Sequence, residues 1–554
     1  MKHMIQNPIL RGFHPDPSII RVGEDYYLAT STFEWWPGIR LHHSKDLIHW
    51  ELMEYPLNRT FQLDLRGVGS SQGVWAPDLS FHDGIFYLVY TVVDSFYCNM
   101  YDVHNYLVTA NDIAGPWSDP CPLSSFGFDP SLFHDDDGRK YVVSMVSDHR
   151  IPKKYAGRLI LQEFDPDTSQ MKGPARDIYQ ADKIFLEGPH IFKRHGWYYL
   201  FSADTGTGEG HGQTIQRSKS IWGPYEMFRA DFMERYRDGE AYSIITSRHH
   251  EDILLQKSGH CDLVETQDGE WYAVHLCGRA SKDRNPKDAP RFPDCRRYML
   301  GRETAVQKMR WTDDDWLVMD CGGNTPQTFV KAPEFVERNG EYPFPGIPSR
   351  DDFDEPVLSL NYQSLRIPMG EQNISLTERP GYLRMYGRCG LSSKFNQSLI
   401  ARRVEEYQME FTAGVEFEPE CFKQMAGLIL LYDIDNYLYL HITHDEELGK
   451  CVTLLKAENK KYEYLADYEP LTECGPVTLK AKMMEGIIQF FWCFKDGEER
   501  KIGSEINGSF LSDEACAEGW FTGAMCGICC QDLTGGGLHA DFDYFEVKAG
   551  QLIE

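Results

Sequence analysis

Residues 187–203 read EGPHIFKRHGWYYLFSA, and residues 129–145 read DPSLFHDDDGRKYVVSM. Each stretch begins with a carboxylic acid, runs through short apolar residues to a turn with Gly or Asp, and ends in an aromatic strand. Strands joined across such turns are typical of β-hairpins. The same plan occurs at residues 16–31, 76–91 and 260–276, with Ala76 and His260 in place of the first carboxylic acid in two of these copies. In all five copies a tyrosine follows the first residue by 11 or 12 positions.

This repeat predicts a β-propeller. Between successive copies there is room for two more short strands, and helical periodicity is hard to find. A four-stranded unit that recurs at such an interval is typical of a propeller blade. Chance similarity among tyrosine-rich hairpins is the alternative, but turn spacing that matches in five copies argues against it. We therefore expect five blades over residues 1–330.

The remainder of the chain has a different pattern. Residues 331–350, KAPEFVERNGEYPFPGIPSR, hold four prolines and indicate an extended Pro-rich linker. Residues 351–554 again contain strand-like runs, but without the five-fold repeat. Such a segment favours a β-sandwich, so the predicted fold class is all-β, a propeller followed by a sandwich. We expect the sandwich to close the active-site pocket.

Composition narrows the classes of partner. The formal charge of −28 disfavours nucleic acid and anionic membrane surfaces. No stretch approaches the ~20 apolar residues that span a bilayer. The first residues lack the apolar core of a secretory signal, and the 15 cysteines are dispersed, so we expect a cytoplasmic protein with reduced thiols. Aromatic residues reach 13%, and sugar-binding clefts are one use for such a surplus.

The first residues of the five copies are expected to meet at the propeller axis. The innermost strand of each blade lines that axis, and each copy begins this strand. The five first residues are Asp16, Ala76, Asp129, Glu187 and His260. Residues two positions further on share a strand face, which adds Asp78 and Asp262 as a second layer of polar groups.

Three of these first residues are carboxylic acids, a set that suits glycoside hydrolysis. Like charges placed together cannot all ionise freely, so at least one pKa must rise. One carboxylic acid can then protonate the leaving oxygen while another carboxylate activates water. Glu187 has the longer reach and is assigned as general acid, Asp16 as general base, and Asp129 as the group that raises the pKa of Glu187 and orients it. Asp-Pro pairs also form turns, but two equivalent copies favour a site.

Several motifs together carry a resemblance to a known family. They are NPILRGFHPDPS, WAPDLSFHDG, FDPSLFHDDDG, FLEGPHIFKRHGWYYL, RSKSIWGPYE and LGRETAVQK. With these motifs in this order, the chain resembles the family 43 glycoside hydrolases, and among them the β-xylosidases with a C-terminal β-sandwich. The resemblance implies inverting exo-action on β-1,4-xylooligosaccharides from the non-reducing end, with α-L-arabinofuranosidase side activity. It also implies a homo-oligomer, a dimer or tetramer.

The resemblance extends to single residues. It gives the same roles to Asp16, Asp129 and Glu187, and it adds substrate-binding residues: Phe33, Trp75, Phe128, His260 and Arg302. Apolar rings of this kind pack on sugar faces while polar groups bind hydroxyls. The chain departs from the family pattern at Cys261, where Gly is usual, and at Met525, where an aromatic is usual.

Three alternatives stay open. The first is an arabinan- or arabinoxylan-directed α-L-arabinofuranosidase of the same fold. The second is a non-catalytic sugar-binding propeller, although the unequal first residues argue against repeated lectin sites. The third is a metal-dependent hydrolase. No cofactor is required by the assigned roles, yet a calcium ion near the axis is conceivable, with His275 as a candidate ligand or, alternatively, a structural histidine.

Overall fold

A computed structural model describes residues 3–96, 100–150, 157–181, 184–233, 242–281, 295–473, 475–495 and 497–549. Within these ranges nearly every regular element is a strand, apart from the helix Glu334–Asn339 and the 3-10 turn Gly508–Phe510. None of the helices in the described ranges is long and apolar enough to cross a membrane. The two ends of the predicted domains, residues 1–2 and 550–554, lie outside the described residues.

Five antiparallel sheets confirm the predicted propeller. From the innermost strand outward, blade 1 contains Ser18–Val22, Asp25–Thr30, Arg40–Ser44 and Glu51–Leu52, and blade 2 contains Asp78–His82, Ile85–Ser95, Asp102–Ala110 and Cys121–Pro122. Blade 3 contains Phe128–His134, Lys140–Val146, Arg158–Asp165 and Gln170–Tyr179, and blade 4 contains Leu186–Arg194, Trp197–Asp204, Gly212–Ser218 and Glu226–Met227. Blade 5 contains Gln256–Glu265, Trp271–Gly278, Glu303–Trp311 and Leu317–Met319. Two short strands, Gly73–Val74 and Ile245–Thr246, extend blades 2 and 4.

Polar side chains near the axis join neighbouring blades. The hydroxyl of Ser18 in blade 1 donates to Asp262 in blade 5 and accepts from a backbone N–H of blade 2. Asp78 of blade 2 accepts from a backbone N–H of blade 3. Ser131 of blade 3 donates to a backbone carbonyl of blade 4. Buried polar groups are therefore satisfied across blade boundaries, and the five sheets are locked around one axis.

The segment after the propeller is only partly the extended linker that the prolines predict. The strand Phe329–Lys331 pairs with Met4–Gln6 and so closes the propeller. The helix Glu334–Asn339 then buries Phe335 and Val336. The ring of Phe335 stacks on Tyr26 of blade 1 at 6.2 Å. Burial of these two apolar side chains outweighs the extended tendency of the prolines, so this part of the predicted linker belongs to the propeller surface.

The C-terminal part forms two facing antiparallel sheets. The first contains, in spatial order, Ile374–Ser375, Leu383–Tyr386, His539–Ala549, Gln408–Glu416, Val477–Met484, Ile487–Phe494 and Arg500–Asn507, with Arg350–Asp351 also on His539–Ala549. The second contains Ser398–Arg403, Met525–Asp532, Gln424–Asp433, Asn436–Asp445, Gly449–Glu458 and Lys461–Tyr464, with Glu469–Pro470 on Gly449–Glu458. The predicted sandwich is confirmed.

The two domains share backbone pairing and apolar core. The strand Trp35–Trp36 of the propeller pairs with Ser364–Leu365 of the sandwich. One apolar cluster contains propeller residues such as Trp35 and sandwich residues such as Tyr439. The backbone N–H of Ala524 donates to the carbonyl of Met299 at 2.8 Å. The interface therefore has the character of a domain interior, which holds the sandwich loops against the propeller.

Candidate active site

A pocket opens where the five innermost strands begin. It is lined by Asp16, Phe33, Trp75, Ala76, Phe128, Asp129, Glu187, Thr207, His260, Arg302 and Phe521. All five first residues of the repeat thus meet in one pocket. Every residue predicted to act in catalysis or to bind substrate lines it as well. Phe521 and Thr207 were not predicted.

The backbone at the start of these strands is unusual. Asp16, Asp129 and His260 have φ values of 53°, 50° and 54°, a region that non-glycine residues seldom adopt. The strand that starts at Glu187 has its left-handed residue one position later, at Gly188, with φ 53°. Strand pairing shifts register beside three of these sites, in blades 3, 4 and 5. Such local strain persists where the surrounding fold over-determines it, and it concentrates at functional sites.

Asp16 is held by donors on both carboxylate oxygens. Its Oδ1 accepts from Nη1 of Arg302 at 2.7 Å, and its Oδ2 accepts from the hydroxyl of Ser31 at 2.6 Å. Nδ1 of His260 lies 3.5 Å from the same Oδ1. Charge-assisted contacts of this kind fix a carboxylate in position. Asp16 therefore suits the role of a base.

Glu187 has the opposite surroundings. Its Oε1 is buried without a hydrogen-bond partner among the described residues. Burial raises the pKa of Glu187 well above its usual value, and the nearby charges of Asp129 and Asp16 raise it further. The pKa of Asp129 is itself raised to about 7, by burial and then by Asp16, although its Oδ2 accepts from the N–H of Gly188 at 3.1 Å. A carboxyl that keeps its proton near neutral pH suits the role of an acid.

His260 packs directly on the backbone that carries Glu187. A Cβ atom on Gly188 would lie 2.5 Å from Nε2 of His260, so only glycine allows this approach. Burial lowers the pKa of His260 to about 4. The imidazole is therefore neutral at physiological pH, and it can donate or accept a hydrogen bond without adding charge to the carboxyl group cluster.

Aromatic rings form one side of the pocket. The ring of Trp75 lies 6.1 Å from Phe33 and 5.4 Å from Phe128, the latter at right angles. Tyr101 stacks behind Phe128 at 4.9 Å. Apolar ring faces of this kind suit the C–H face of a sugar, while the carboxylates and Arg302 suit its hydroxyls.

Phe521 comes from the sandwich and completes this wall. Its ring lies 5.9 Å from Phe33 and 5.2 Å from Trp75. Its carbonyl accepts from Nη2 of Arg302 at 3.0 Å. No motif in the sequence marks Phe521, because it follows the propeller by two hundred residues and belongs to no repeat. Its one signal is its place in the loop that also contains Met525.

Ser71 connects the two domains behind the aromatic wall. It is fully buried, and its φ is 59°. Its hydroxyl accepts from the N–H of Phe521 at 3.1 Å, and its carbonyl accepts from the indole N–H of Trp75 at 3.0 Å. Its own N–H donates to the buried carboxylate of Glu34 at 3.0 Å. One residue therefore positions a propeller ring and a sandwich ring together.

Both departures from the family pattern lie in packed strands rather than in the pocket. Cys261 is buried in a cluster with Phe201, and its N–H donates to Gln213 at 2.8 Å. Met525 begins a strand and is buried in the cluster that backs the aromatic wall. Phe521, four residues earlier, is the aromatic that reaches the pocket.

His275, the predicted metal candidate, is fully buried. Its Nδ1 contacts the carbonyl of Leu276 at 2.8 Å, and its Nε2 lies 3.3 Å from the amide of Gln307. Near the axis, the described residues close enough to share an ion are instead Asp78, His190 and Asp262.

That axial group does not fit a calcium ion. Both oxygens of Asp262 and one oxygen of Asp78 already accept from protein donors. The other oxygen of Asp78 lies 3.2 Å from Nδ1 of His190. Burial alone would lower the pKa of His190, but Asp262 and Asp78 outweigh it and raise the value to about 9. Calcium prefers six to eight oxygen ligands, so a protonated imidazole suits these carboxylates better.

The pocket combines a fixed carboxylate, a carboxyl group whose pKa is raised and an aromatic wall, a combination that suits glycoside hydrolysis. The family model named Glycosyl hydrolases family 43 matches residues 5–317, and the model named Beta xylosidase C-terminal Concanavalin A-like domain matches residues 350–548. The chain belongs to glycosyl hydrolases family 43. Membership in a hydrolase family decides against the non-catalytic alternative.

Among the relatives that are similar over nearly their full length, some are named as xylosidases and one as an arabinofuranosidase. The chain is similar to a beta-xylosidase of Bacillus subtilis, with 41% identity over 98% of this chain and 99% of that protein. The structure of a xylan beta-1,4-xylosidase from Bacillus halodurans superposes with a TM-score of 0.92 at 46% identity, covering 98% and 100% of the two chains. A non-reducing end alpha-L-arabinofuranosidase of Bacteroides ovatus is 33% identical over 98% of this chain and 94% of that protein.

Proposed function

We propose that this protein is an exo-acting β-1,4-xylosidase that inverts the anomeric centre and releases xylose from the non-reducing ends of xylooligosaccharides. The observation that carries the proposal is the contrast between Asp16, which Arg302 and Ser31 hold, and Glu187, whose Oε1 has no hydrogen-bond partner in the described ranges. The full-length similarity to two xylosidases supports the choice of sugar.

In the proposed reaction Asp16 is the general base and Glu187 the general acid. A water molecule loses a proton to Asp16 and attacks the anomeric carbon, while Glu187 protonates the glycosidic oxygen that leaves. Asp129 stabilises the protonated form of Glu187 through its negative charge. Arg302 orients the base through its hydrogen bond, and the neutral His260 is available to a substrate hydroxyl.

One feature supports exo-action, and another supports inversion. Phe521 of the sandwich lies across the aromatic wall and narrows the opening, so the site is a pocket instead of an open groove. A pocket accepts a chain end, whereas a groove accepts the middle of a polymer. Inversion is supported by the position of Asp16 and Glu187 at the first and fourth of five blades, because an inverting site places its two carboxyl groups on opposite sides of the bond that breaks.

Proton NMR of xylobiose hydrolysis tests the proposal. We expect α-xylose to be the first anomer released, before mutarotation. Early β-xylose would mean that one assigned carboxylate acts as a nucleophile and that the inverting assignment is wrong. No turnover of xylobiose would contradict the xylosidase assignment itself.

An α-L-arabinofuranosidase activity at the same pocket is the second candidate. It is favoured by the similarity to the Bacteroides ovatus enzyme over nearly the whole chain. The same acid and base would serve both sugars, because only the ring that contacts the aromatic wall changes. Rates on nitrophenyl β-D-xyloside and nitrophenyl α-L-arabinofuranoside, measured with one preparation, give the ratio. If xylose inhibits both activities with the same inhibition constant, both activities use one pocket.

The remaining proposals concern the protein as a whole. The 15 cysteines are dispersed along the chain, which supports a reducing cytoplasm and imported oligosaccharides as substrate. We further propose that the protein is a homo-oligomer, a dimer or tetramer, and light scattering during size-exclusion chromatography measures its mass.

We also propose that the reaction needs no cofactor. Activity that survives exhaustive chelation would support this proposal, and complete loss of activity would favour an axial calcium ion.

A further inference from the structure

A second cavity lies between blade 2 and the sandwich. Its volume is about 540 Å³, within the ~300–1,000 Å³ typical of ligand sites. The propeller contributes Phe96, and the sandwich contributes Trp520 and Lys394, among others. Nothing in the proposed reaction uses these residues, so the cavity has no assigned role.

The two cavities share an aromatic partition. The ring of Phe96 lies 5.6 Å from Trp75 and 5.9 Å from Phe521, both of which line the catalytic pocket. Trp520 lies 5.2 Å from both Phe96 and Phe521. Rings that line the catalytic pocket therefore pack directly against rings that line the second cavity.

The lining of the second cavity points to a neutral ligand. Its charged residues are two cations, Lys394 and Lys460, and two anions, Asp435 and Glu518. Lys460 pairs with Glu518 at 3.0 Å, so the charges partly neutralise each other. A phosphate-binding site would carry an excess of positive charge, and a lipid site would lack these ions. A lining that combines aromatic rings with polar groups of balanced charge suits an uncharged, hydroxyl-rich ligand such as a carbohydrate.

We propose that this cavity binds the reducing-end part of xylooligosaccharides with three or more residues, as a distal subsite of the catalytic pocket. The inference depends on the proposed function, because the non-reducing end must occupy the catalytic pocket first. The chain then passes the rim formed by Phe521, and its distal sugars stack on Trp520 and hydrogen-bond to Lys394. Longer oligosaccharides are therefore better substrates than xylobiose.

The test compares kcat/KM for xylobiose and xylotetraose in the full-length protein. Trp520→Ala and Lys394→Ala are each expected to lower the xylotetraose value about threefold to tenfold, with less than about a twofold change for xylobiose. Lys501→Ala, an exposed lysine on the edge strand Arg500–Asn507, is the matched control and should change neither value. Because Trp520 touches Phe521, the Lys394 variant guards against an indirect effect on the pocket.

Other results overturn the proposal. Equal losses on both substrates would mean that the variants only disturb the catalytic pocket. An unchanged ratio in both variants, or a wild-type enzyme indifferent to chain length, would mean that no distal subsite exists. Calorimetric titration of Glu187→Gln with xylobiose and xylotetraose separates the two hypotheses. If this variant loses turnover but binds xylotetraose no more tightly than xylobiose, the result counts against the distal subsite. If it binds xylotetraose more tightly but the wild-type enzyme does not hydrolyse xylobiose, the result counts against the proposed reaction.

Discussion

Asp16 and Glu187 show how one functional group acquires two chemical characters. Asp16 lies between a guanidinium group and a hydroxyl group. Glu187 has no donor on its Oε1 within the part of the chain that the structure describes, and it faces two further carboxyl groups. Desolvation penalises the charged form, and neighbouring anions add to that penalty. The difference between acid and base thus originates in the neighbours of each residue.

Replacement of the proposed acid is expected to depend on the leaving group. Glu187→Gln should lower kcat on xylobiose by about 10²–10⁴-fold, because the sugar oxygen then leaves without a proton. A nitrophenyl xyloside should lose far less, since nitrophenolate needs no protonation. The measurement is kcat on both substrates with the same enzyme preparation. Equal losses on both would show that Glu187 has another role.

Asp129 is expected to control the upper pH limit of activity. After burial, its charge is the largest cause of the raised pKa of Glu187. Asp129→Asn removes that charge, so the alkaline limb of the kcat–pH profile should shift to lower pH. The profile of kcat on xylobiose between pH 4 and 9 checks this. An unshifted limb in an active variant would contradict the assigned role.

The same substitution should change stability in a pH-dependent way. Asp129 has a pKa of about 7 in the folded protein and a usual value of 3.8. The folded state therefore keeps a proton that the unfolded state has released, so this group destabilises the fold increasingly as pH rises from about 4 to 7. Asp129→Asn should raise Tm relative to wild type above pH 7 and less at pH 4. Melting curves at both pH values measure the difference.

At the level of elements, the bulged start of the blade 4 strand places Glu187 against His260. Gly188→Ala would put a Cβ atom 2.5 Å from Nε2 of His260 in a left-handed conformation. We expect activity to fall by at least about tenfold, with a stability loss of about 1–3 kcal/mol. Activity on xylobiose and Tm are the two measurements.

Gly196→Ala supplies the matched control for this element. Gly196 lies in the turn of the same hairpin with φ 72°, but nothing lies within 4 Å of its added Cβ. It should lose a similar amount of stability from backbone strain and retain full activity. If both variants lose activity alike, strain alone explains the effect and the contact with His260 is unimportant.

Elements also show what could be predicted from the sequence. The first residues of the five hairpins were predictable because a repeat places equivalent positions at one axis. Phe521 and Ser71 were not, because their contact joins two domains across long sequence separation. The helix that contains Phe335 was not predicted, because prolines flank it and favour an extended chain. Its two apolar residues nevertheless pack on blade 1 and its neighbours. Repetition reveals local geometry, whereas contacts between unlike domains leave no periodic signal.

At the scale of the whole molecule, the axial group joins blades 2, 4 and 5 through one charged imidazole. The pKa of His190 is about 9, so its contribution to stability is complete below the unfolded value of ~6.5 and is lost as pH rises through 9. His190→Gln should therefore destabilise the protein by about 2–3 kcal/mol at pH 7 and by much less at pH 10. Chemical unfolding at both pH values measures this change.

His441→Gln is the control for a buried histidine without charge. His441 lies in the sandwich, and burial lowers its pKa to about 4, so it is neutral at pH 7 and at pH 10. Its substitution should cost the same stability at both pH values. A His190 variant with the same flat response would show that the axial imidazole carries no proton.

The contact of Phe521 with Arg302 has a consequence for inheritance. The propeller supplies both carboxyl groups of the proposed reaction, yet the guanidinium that holds the proposed base is itself held by a carbonyl of the sandwich. Recombination that exchanged one domain for a homologue would pair a foreign loop with a resident arginine. Selection on the active site therefore acts on both domains at once, so they are expected to be transmitted through gene duplication and transfer as one unit.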